Sequence, residues 1–336
     1  MKIIRYIFFP FVPVYYAVTW LRNKLYDNGI KESTSYKFPV ICVGNLSVGG
    51  TGKTPMIEYL IRILKEDYNV ATLSRGYKRK TEGFQLAEAY CNADTLGDEP
   101  FQFYNKFKDD IQVAVDADRT NGIERLRASN FSPDIVLLDD AFQHRKVKAG
   151  FNILLTTYSN PYFNDYVLPT GDLREPRSGA KRAHAIVVTK CPSDLTHNEK
   201  NNLLKRIKPD ESQKVFFSSI NYSENVFSEE LTKELINLNN FTLVTGIANA
   251  KPLVSFLNDK DLKFNHLNFK DHHNFTQNEI DDLAIESLII TTEKDFMRLK
   301  DYEELKGKLF YLPIEVSIDN SESFNSMING FIKTKL

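Results

Sequence analysis

The sequence predicts an α/β fold in which mostly parallel β-sheets carry helices on both faces. Short apolar runs typical of buried strands alternate along the chain with stretches of helical periodicity, and this alternation is typical of parallel sheets. The 336 residues are 42% hydrophobic and 26% charged, which is enough for two packed domains. The predicted strands span residues 38–44, 70–73, 111–115, 135–138, 151–155, 185–189, 214–220, 241–245, 264–269, 288–291 and 309–312.

A helix is predicted over residues 54–66, directly after the first strand. Pro55 falls in its first turn, where proline is tolerated. Apolar side chains repeat at helical spacing along this segment and would face a sheet. They are Met56, Ile57, Leu60, Ile61 and Leu64.

A polar, acidic stretch over residues 221–240 marks a predicted domain boundary. We therefore expect an N-terminal segment at residues 1–26, a first domain at 27–220 and a second, smaller α/β domain at 221–336. In mostly parallel sheets the loops at the carboxyl ends of the strands carry the functional groups. The second domain is expected to contribute to the active-site cleft.

The charge balance and the cysteines exclude several classes of protein. The formal net charge is -1, whereas a nucleic-acid binder normally shows a basic excess, so no nucleic-acid partner is expected. Cys42, Cys91 and Cys191 are widely spaced and form no CxxC pair. This pattern fits neither a disulfide framework nor a zinc site.

The N-terminal segment is aromatic and uncharged between Arg5 and Arg22. It is shorter than the roughly 20 apolar residues of a spanning helix, and it contains Pro10 and Pro13. Aromatic side chains with flanking cations favour a membrane-associated helix that lies in the headgroup region. The alternative is a helix packed on the protein's own core.

The strongest motif is GGTGKT at residues 49–54, after a predicted strand and before a predicted helix. This context is that of a Walker A loop, whose backbone N–H groups surround phosphate oxygens. Lys53 would reach the β- and γ-phosphates of ATP, and the Thr54 hydroxyl would bind Mg²⁺. Ser47 stands where the first glycine is usual. The predicted nucleotide-binding residues are Ser47, Val48, Gly49, Gly50, Thr51, Gly52, Lys53 and Thr54.

A Walker B candidate, DIVLLDD, follows at residues 134–140. Four apolar residues lead to Asp139 and Asp140 at the end of a strand, where they could hold Mg²⁺ directly or through water. The alternative is an acidic cap of the next helix.

A P-loop predicts nucleotide binding but leaves the reaction open. Val48 occupies the position of the signature lysine of partitioning and metal-insertion NTPases, and residues 188–194 have the wrong spacing for an NKxD motif. Both observations weaken the alternative function, a membrane-attached P-loop NTPase that acts as a switch or partner-binding module.

Several further motifs follow in a fixed order. They are VGNLSVGGTGKTP at 43–55, SRGY at 74–77, GDEP at 97–100, LDDAFQH at 138–144, LREP at 173–176, DHH at 271–273 and TEKD at 292–295. Together with the aromatic N-terminus, they resemble the tetraacyldisaccharide 4'-kinase family over nearly the whole chain. Ala141 replaces the family's usual glycine, and Asp172 stands where the family more often has proline.

The resemblance implies that the γ-phosphoryl group of ATP is transferred to the 4'-hydroxyl of a tetraacylated glucosamine disaccharide 1-phosphate in lipid A biosynthesis. It implies a P-loop NTPase-like first domain, a lipid-linked substrate and attachment to the cytoplasmic face of the inner membrane of a Gram-negative bacterium. No obligate protein partner is inferred.

Asp98, between a glycine and a proline in GDEP, is the predicted base for the sugar hydroxyl. The alternative is an aspartate that bonds its own turn. His272 is the predicted partner of Asp98, with His273 as the competing choice. Because either histidine comes from the second domain, catalysis would depend on domain closure.

Asp139, Asp140 and Glu175 are the predicted Mg²⁺ carboxylates beside Thr54. Mg²⁺ takes few protein carboxylates, so we favour Asp139 first and Glu175 second. Arg174 would stabilise charge on the transferred phosphoryl group, or would pair with Glu175. Cationic groups at 75–80 and 174–182 could attract an anionic substrate or lipid headgroups, or be a solvated surface.

Overall fold

The computed structural model describes residues 5–271 and 273–336. The strands are β1 (Thr34–Ser35), β2 (Val40–Asn45), β3 (Val70–Ser74), β4 (Gln85–Leu86), β5 (Ile111–Val115), β6 (Ile135–Asp139), β7 (Val147–Lys148), β8 (Phe151–Thr157), β9 (Ala185–Thr189), β10 (Lys214–Tyr222), β11 (Asn225–Phe227), β12 (Thr232–Glu234), β13 (Phe241–Thr245), β14 (Phe264–Asn268), β15 (Ile289–Thr292), β16 (Leu309–Leu312) and β17 (Ile314–Ile318).

The α-helices follow in the same chain order. They are α1 (Val12–Asp27), α2 (Lys53–Leu64), α3 (Ala93–Leu96), α4 (Asp98–Phe107), α5 (Arg119–Arg127), α6 (His197–Ile207), α7 (Lys251–Asp259), α8 (Gln277–Ala284), α9 (Glu293–Leu299) and α10 (Ser321–Lys333). Short 3₁₀ turns, of which Tyr6–Phe11 is the first, connect some of them.

The largest sheet has nine strands in the order β17-β10-β9-β8-β2-β6-β3-β5-β4. Its strands pair in parallel except at the two edges, where β17 and β4 run antiparallel to their neighbours. The chain orders the central strands so that β2 and β6 lie side by side. Their carboxyl ends therefore meet at one edge, as the Walker A and Walker B motifs require.

Alternate residues of the central strands face opposite sides of this sheet. Val40 and Cys42 pack into one apolar layer with α5 and α6, while Ile41 and Val43 pack into the other with α2, α4 and α10. The predicted apolar face of α2 is fully buried, and each such side chain stabilises the fold by about 1.5–3 kcal/mol. The predicted α/β class, with helices on both faces, is confirmed.

The second sheet has six strands in the order β12-β11-β16-β15-β13-β14. The four strands β16, β15, β13 and β14 are parallel. Helix α7 packs on one face, and α8 and α9 pack on the other. The layer around α9 also takes in Leu96 and Phe101, so the two sheets share one apolar contact region.

The C-terminal segment departs from the predicted division of the chain. The predicted second domain runs over 221–336, but β17 pairs with β10 at the edge of the nine-stranded sheet. Phe324, Ile328 and Ile332 of α10 are fully buried in the layer that also covers α2. The chain thus leaves the first sheet after β10, builds the second, and returns. The domain bounds themselves stay a prediction.

Helix α1 presents most of its large apolar side chains to the outside. The exposed large apolar residues of the N-terminal region are Tyr6, Ile7, Phe8, Phe9, Phe11, Val14, Tyr16, Val18, Trp20 and Leu21. Val12 and Tyr15 pack against the core, which corresponds in part to the alternative of a packed helix. Within the described residues, no helix has both the length and the apolar character needed to cross a membrane.

Candidate active site

The phosphate loop connects β2 to α2. Gly49 and Gly52 have φ angles of 104° and 87°, a left-handed backbone that side chains rarely adopt. Lys53 then begins α2, and the first N–H groups of a helix lack intrahelical acceptors. Val48 N–H donates to the Asp172 carbonyl at 2.7 Å and Thr51 N–H to the Gly49 carbonyl at 3.1 Å. The rest of the loop and the positive end of the helix dipole lie where an anion can bind.

Neighbouring side chains hold the loop through its other polar atoms. Asn45 Nδ2 donates to Thr51 Oγ1 at 2.7 Å, and Thr189 Oγ1 donates to the Thr51 carbonyl at 2.8 Å. Lys190 Nζ donates to the Gly50 carbonyl at 2.7 Å. Since these contacts engage carbonyls and a hydroxyl, they fix the loop without using the amides that would face phosphate.

Asp140 lies between two cations. Arg174 donates to both of its oxygens, at 2.9 and 3.0 Å, and Lys53 Nζ lies 3.7 Å away. Burial alone would raise the pKa of Asp140, but Lys53 and Arg174 outweigh it and hold that pKa below its usual range. The structure thus brings together three of the predicted residues, and Arg174 pairs with Asp140 rather than with Glu175.

Asp139 is 7% exposed, and only one of its two carboxylate oxygens accepts a hydrogen bond from the described residues. Its Oδ2 accepts a hydrogen bond from Ser74 Oγ at 3.3 Å, whereas Oδ1 is buried and has no hydrogen-bond partner among the described residues. Burial, reinforced by the charge of Asp140, raises the pKa of Asp139 to about 6. A buried, unpaired carboxylate oxygen is costly, and a cation would relieve that cost. With the Thr54 hydroxyl at the start of α2, these residues fit Mg²⁺.

Glu175 is placed differently from the prediction. It is 2% exposed, and its Oε1 accepts hydrogen bonds from Arg182 at 2.7 Å and from Gln143 at 2.9 Å. Its Oε2 accepts one from Asn23 at 2.6 Å. Both oxygens are already engaged, so the geometry does not support Glu175 as a metal ligand. Across the described chain, no three acidic, His or Cys side chains are arranged to hold a metal ion.

The N-terminal helix is tied to this same region. Asn23 is buried in the contact with Glu175. The Tyr15 hydroxyl donates to the Arg174 carbonyl at 3.0 Å, and Arg22 donates to the Gln143 carbonyl at 2.8 Å. Helix α1 therefore rests on the LREP segment and on the loop that follows the Walker B aspartates.

Asp98 begins α4, directly after Gly97. Gly97 has a φ of 92°, and a Cβ there would lie 3.0 Å from the Tyr77 carbonyl, so the SRGY and GDEP turns are in close contact. Ser74, which bonds the buried aspartate of β6, belongs to the same SRGY segment. The Asp98 carboxylate forms a salt bridge with Arg298 of α9, and so it reaches across to the second sheet.

The structure describes one of the two histidines of the DHH motif, His273. His272, the predicted partner of Asp98, lies outside the described residues. His273 Nε2 lies 3.0 Å from a Glu279 carboxylate oxygen, and its ring stacks on Phe269 at a centroid distance of 4.8 Å. These contacts hold His273 within the second sheet's own surroundings.

Three residues of the site were not predicted from the sequence. Arg298, Asn45 and Lys190 each contact a predicted residue. Asn45 lies in VGNLSVGGTGKTP and Lys190 in the segment 188–194, but neither was assigned a role in the site. For Arg298 a signal existed, because it stands three residues after Asp295 of TEKD on the same helix, where side chains meet. Asp295 is fully buried and accepts the Gly246 N–H at 2.8 Å, so the TEKD motif also anchors the end of β13.

Comparison with known proteins places these features in a family. The chain matches the family model described as LpxK, tetraacyldisaccharide-1-P 4'-kinase, over residues 4–333. It is 50% identical to the tetraacyldisaccharide 4'-kinase of Flavobacterium johnsoniae, with 100% of this chain and 99% of that one covered. The corresponding protein of Phocaeicola vulgatus is 42% identical, with 97% and 94% covered.

A solved structure gives the same result. The crystal structure of LpxK from Aquifex aeolicus in complex with ATP matches with a TM-score of 0.78 and 29% identity, covering 98% of this chain and 99% of that one.

A P-loop between β2 and α2, with aspartates at the end of the adjacent strand, defines a nucleotide-binding protein of the P-loop class. The family model and the relatives match nearly the whole chain, and not only the residues around the phosphate loop. The chain belongs to the tetraacyldisaccharide 4'-kinase family and is a kinase of lipid A biosynthesis. The alternative of a P-loop switch is not favoured.

Proposed function

We propose that this chain transfers the γ-phosphoryl group of ATP to the 4'-hydroxyl of a tetraacylated glucosamine disaccharide 1-phosphate at the cytoplasmic face of the bacterial inner membrane. One observation carries the proposal. Lys53, Asp140 and Arg174 converge beside the unpaired oxygen of Asp139, at the mouth of the phosphate loop.

The two cations have the roles that phosphoryl transfer needs. When the triphosphate binds, Lys53 exchanges its 3.7 Å contact with Asp140 for the β- and γ-phosphate oxygens. Arg174 then lies where negative charge develops on the transferred group, and Asp140 keeps its guanidinium in place. Backbone N–H groups of the loop, other than those of Val48 and Thr51, hold the phosphates in register.

Mg²⁺ would be held by the Thr54 hydroxyl and by Asp139. When bound, it neutralises charge on the β- and γ-phosphates. Asp139 must be ionised to bind a cation, and its pKa of about 6 places that ionisation below neutral pH.

Asp98 accepts the proton of the 4'-hydroxyl as that oxygen bonds to the γ-phosphorus and the bond to ADP breaks. The Arg298 salt bridge orients the Asp98 carboxylate. Because Arg298 comes from α9 beside the second sheet, the position of the base depends on how that sheet sits against the first. His272 remains the proposed partner of Asp98.

The membrane surface is proposed from the exposed N-terminal segment. Ile7 is 73% exposed and Phe11 60%, among ten large apolar residues that face outwards before residue 22. Exposed apolar and aromatic area of this kind on a short segment flanked by cations is typical of attachment in the headgroup region. The acyl chains of the lipid-linked substrate remain in the bilayer in this arrangement.

The test is transfer of label from γ-labelled ATP to purified tetraacyldisaccharide 1-phosphate in neutral detergent micelles. Wild type is compared with Lys53→Ala and Asp98→Asn, and with two control variants of the same residue types, Lys65→Ala and Asp94→Asn. We expect label in the lipid with wild type and with both controls, and a loss of at least a hundredfold in Lys53→Ala and Asp98→Asn.

Two results would contradict parts of this proposal. Phosphoryl transfer that survives Asp98→Asn would support the kinase activity but would contradict the assignment of Asp98 as the base. Transfer to a soluble, deacylated disaccharide at the same kcat/KM would remove the lipid and the membrane surface from the account of specificity.

A further inference from the structure

A cationic pocket lies on the first domain, lined by the loop before β9 and by the end of α6. Its volume is about 480 Å³. The positively charged side chains that line it are Arg177, Lys181, Lys205, Arg206 and Lys208, and none of its lining residues is acidic. We call these five residues the basic pocket.

Within the described residues, these five cations form no ion pair with a neighbouring carboxylate. All five residues are exposed, and none of them forms a salt bridge within residues 5–271 and 273–336. Arg177 donates to the Asp165 backbone carbonyl, and Arg206 donates to the Asn164 amide oxygen. Five like charges around one cavity repel one another, and a bound anion would reduce that repulsion.

Stabilisation of a helix end does not explain the arrangement. Lys205, Arg206 and Lys208 lie at the C-terminus of α6, where cations interact favourably with the helix dipole. Arg177 and Lys181 come from a separate 3₁₀ turn, Arg177–Arg182, and face the same cavity. Two unrelated elements thus contribute the same charge to one site.

The basic pocket is continuous with the exposed N-terminal segment. The Arg177 guanidinium lies over the Tyr166 ring at 5.8 Å, and the Tyr166 ring meets the Phe9 ring edge-on at 6.2 Å. Arg5 donates to Asp172 at 2.7 Å and so holds the start of the segment against the same loop. Aromatic and cationic groups therefore share one side of the protein.

We propose that the basic pocket binds the phosphate headgroups of anionic phospholipids and gives this kinase a preference for negatively charged bilayers. The proposal rests on the membrane attachment proposed above and names a partner for it. The aromatic segment supplies apolar insertion, and the basic pocket supplies the electrostatic part. One apolar element binds a bilayer weakly and reversibly, whereas a cationic cluster beside it strengthens binding to an anionic surface.

The experiment is vesicle co-sedimentation of the full-length protein. Vesicles of phosphatidylcholine alone are compared with vesicles in which part of it is replaced by phosphatidylglycerol. The variant is Lys181→Gln/Lys205→Gln/Lys208→Gln, which removes three charges and leaves the arginines that make the contacts described above. The control is Lys233→Gln/Lys263→Gln/Lys335→Gln, three exposed lysines elsewhere on the chain.

We expect wild type and the control to bind anionic vesicles more tightly than neutral ones. The pocket variant should lose roughly tenfold to a hundredfold in partitioning onto anionic vesicles and nothing on neutral ones. Kinase activity in neutral micelles should be the same for all three proteins. Circular dichroism checks that the variants are folded.

The other outcomes contradict either the role of the basic pocket or the membrane attachment on which it rests. A pocket variant that keeps the anionic preference overturns the inference. Equal wild-type binding to both vesicles leaves the attachment in place and overturns the inference alone. No binding to either vesicle removes the membrane attachment and this inference with it, while the micelle assay still reports on the kinase. A raised KM for the disaccharide 1-phosphate in neutral micelles would assign the pocket to the substrate instead.

Discussion

Lys106 connects the three helices that carry the phosphate loop, the proposed base and the TEKD motif. Its ammonium lies 2.8 Å from Glu58 of α2 and 2.6 Å from Glu293 of α9. The two carboxylates are 2% and 6% exposed, and the Lys106 side chain is 18% exposed. Replacing Lys106 by Met keeps the length of the side chain. It removes the ion pair of the buried Glu293 carboxylate, whereas Glu58 keeps its 3.2 Å pair with Arg62.

We expect the Lys106→Met substitution to lower the free energy of unfolding by a large amount that depends on pH. Breaking a buried ion pair by removing one partner costs about 3–5 kcal/mol. Burial and the charge of Glu58 already raise the pKa of Glu293 to about 7 in the native protein. A raised carboxyl pKa means that the folded state binds the proton more tightly, so its contribution to stability falls as pH rises through 7. Protonation therefore relieves the Lys106→Met defect at low pH.

The assay is urea unfolding followed by circular dichroism at about pH 8 and about pH 5.5, where the carboxyl is largely protonated. We expect Lys106→Met to lose about 3–5 kcal/mol at the higher pH and clearly less at the lower one. The double variant Lys106→Met/Glu293→Gln should recover part of the loss.

Lys65→Met serves as the control, because its 2.8 Å pair with Asp110 is at the surface and should cost under about 1 kcal/mol. A loss below about 1 kcal/mol for Lys106→Met at the higher pH, or the same loss at both pH values, would refute the reasoning.

Three further predictions concern the site. The kcat/KM for ATP should fall as pH drops through about 6, because Asp139 then takes up a proton; a pH–rate profile of wild type checks this, and a flat profile from pH 5 to 7 would contradict it. Gly97→Ala should cost about 1–3 kcal/mol more in urea unfolding than Gly83→Ala, since both positions have positive φ but only Gly97 has a backbone carbonyl 3.0 Å from the added Cβ. Arg298→Gln should lower kcat more than it changes the KM for lipid, because its salt bridge orients Asp98; steady-state kinetics in micelles would show the opposite split if Arg298 served binding instead.

Central strands such as β2 and β13 could be predicted because their residues are buried on both faces. The uninterrupted run VICVGN of β2 and the run FTLVT of β13 are apolar enough to indicate strands without neighbouring information. Helix α2 could be predicted as readily, because the spacing of its apolar residues coincides with its buried face. Local patterns of this kind need no knowledge of which elements become neighbours.

Features that depend on distant partners could not be predicted. The pairing of β17 with β10 joins residues about a hundred positions apart, and β17 alternates exposed and intermediate residues with only Ile318 buried. The sequence shows Glu175 as one more acid near the P-loop. Its commitment to Asn23, Gln143 and Arg182 depends on where α1 and the Walker B loop arrive. The Arg298 contact with Asp98 likewise spans two sheets.

The contact between Asn23 and Glu175 sets a distance as well as a bond. From Phe11, at the end of the exposed aromatic turn, to Asn23 the chain is helical, and twelve residues at 1.5 Å each give a rod of about 18 Å. Tyr15 and Arg5 also contact this region, at the Arg174 carbonyl and at Asp172. A bilayer that takes up the aromatic end would therefore lie within about 18 Å of the LREP segment. With the membrane attachment that we propose, the sugar of a lipid-linked disaccharide would reach the phosphate loop by tilting out of the headgroup layer, and its acyl chains would not need to be extracted.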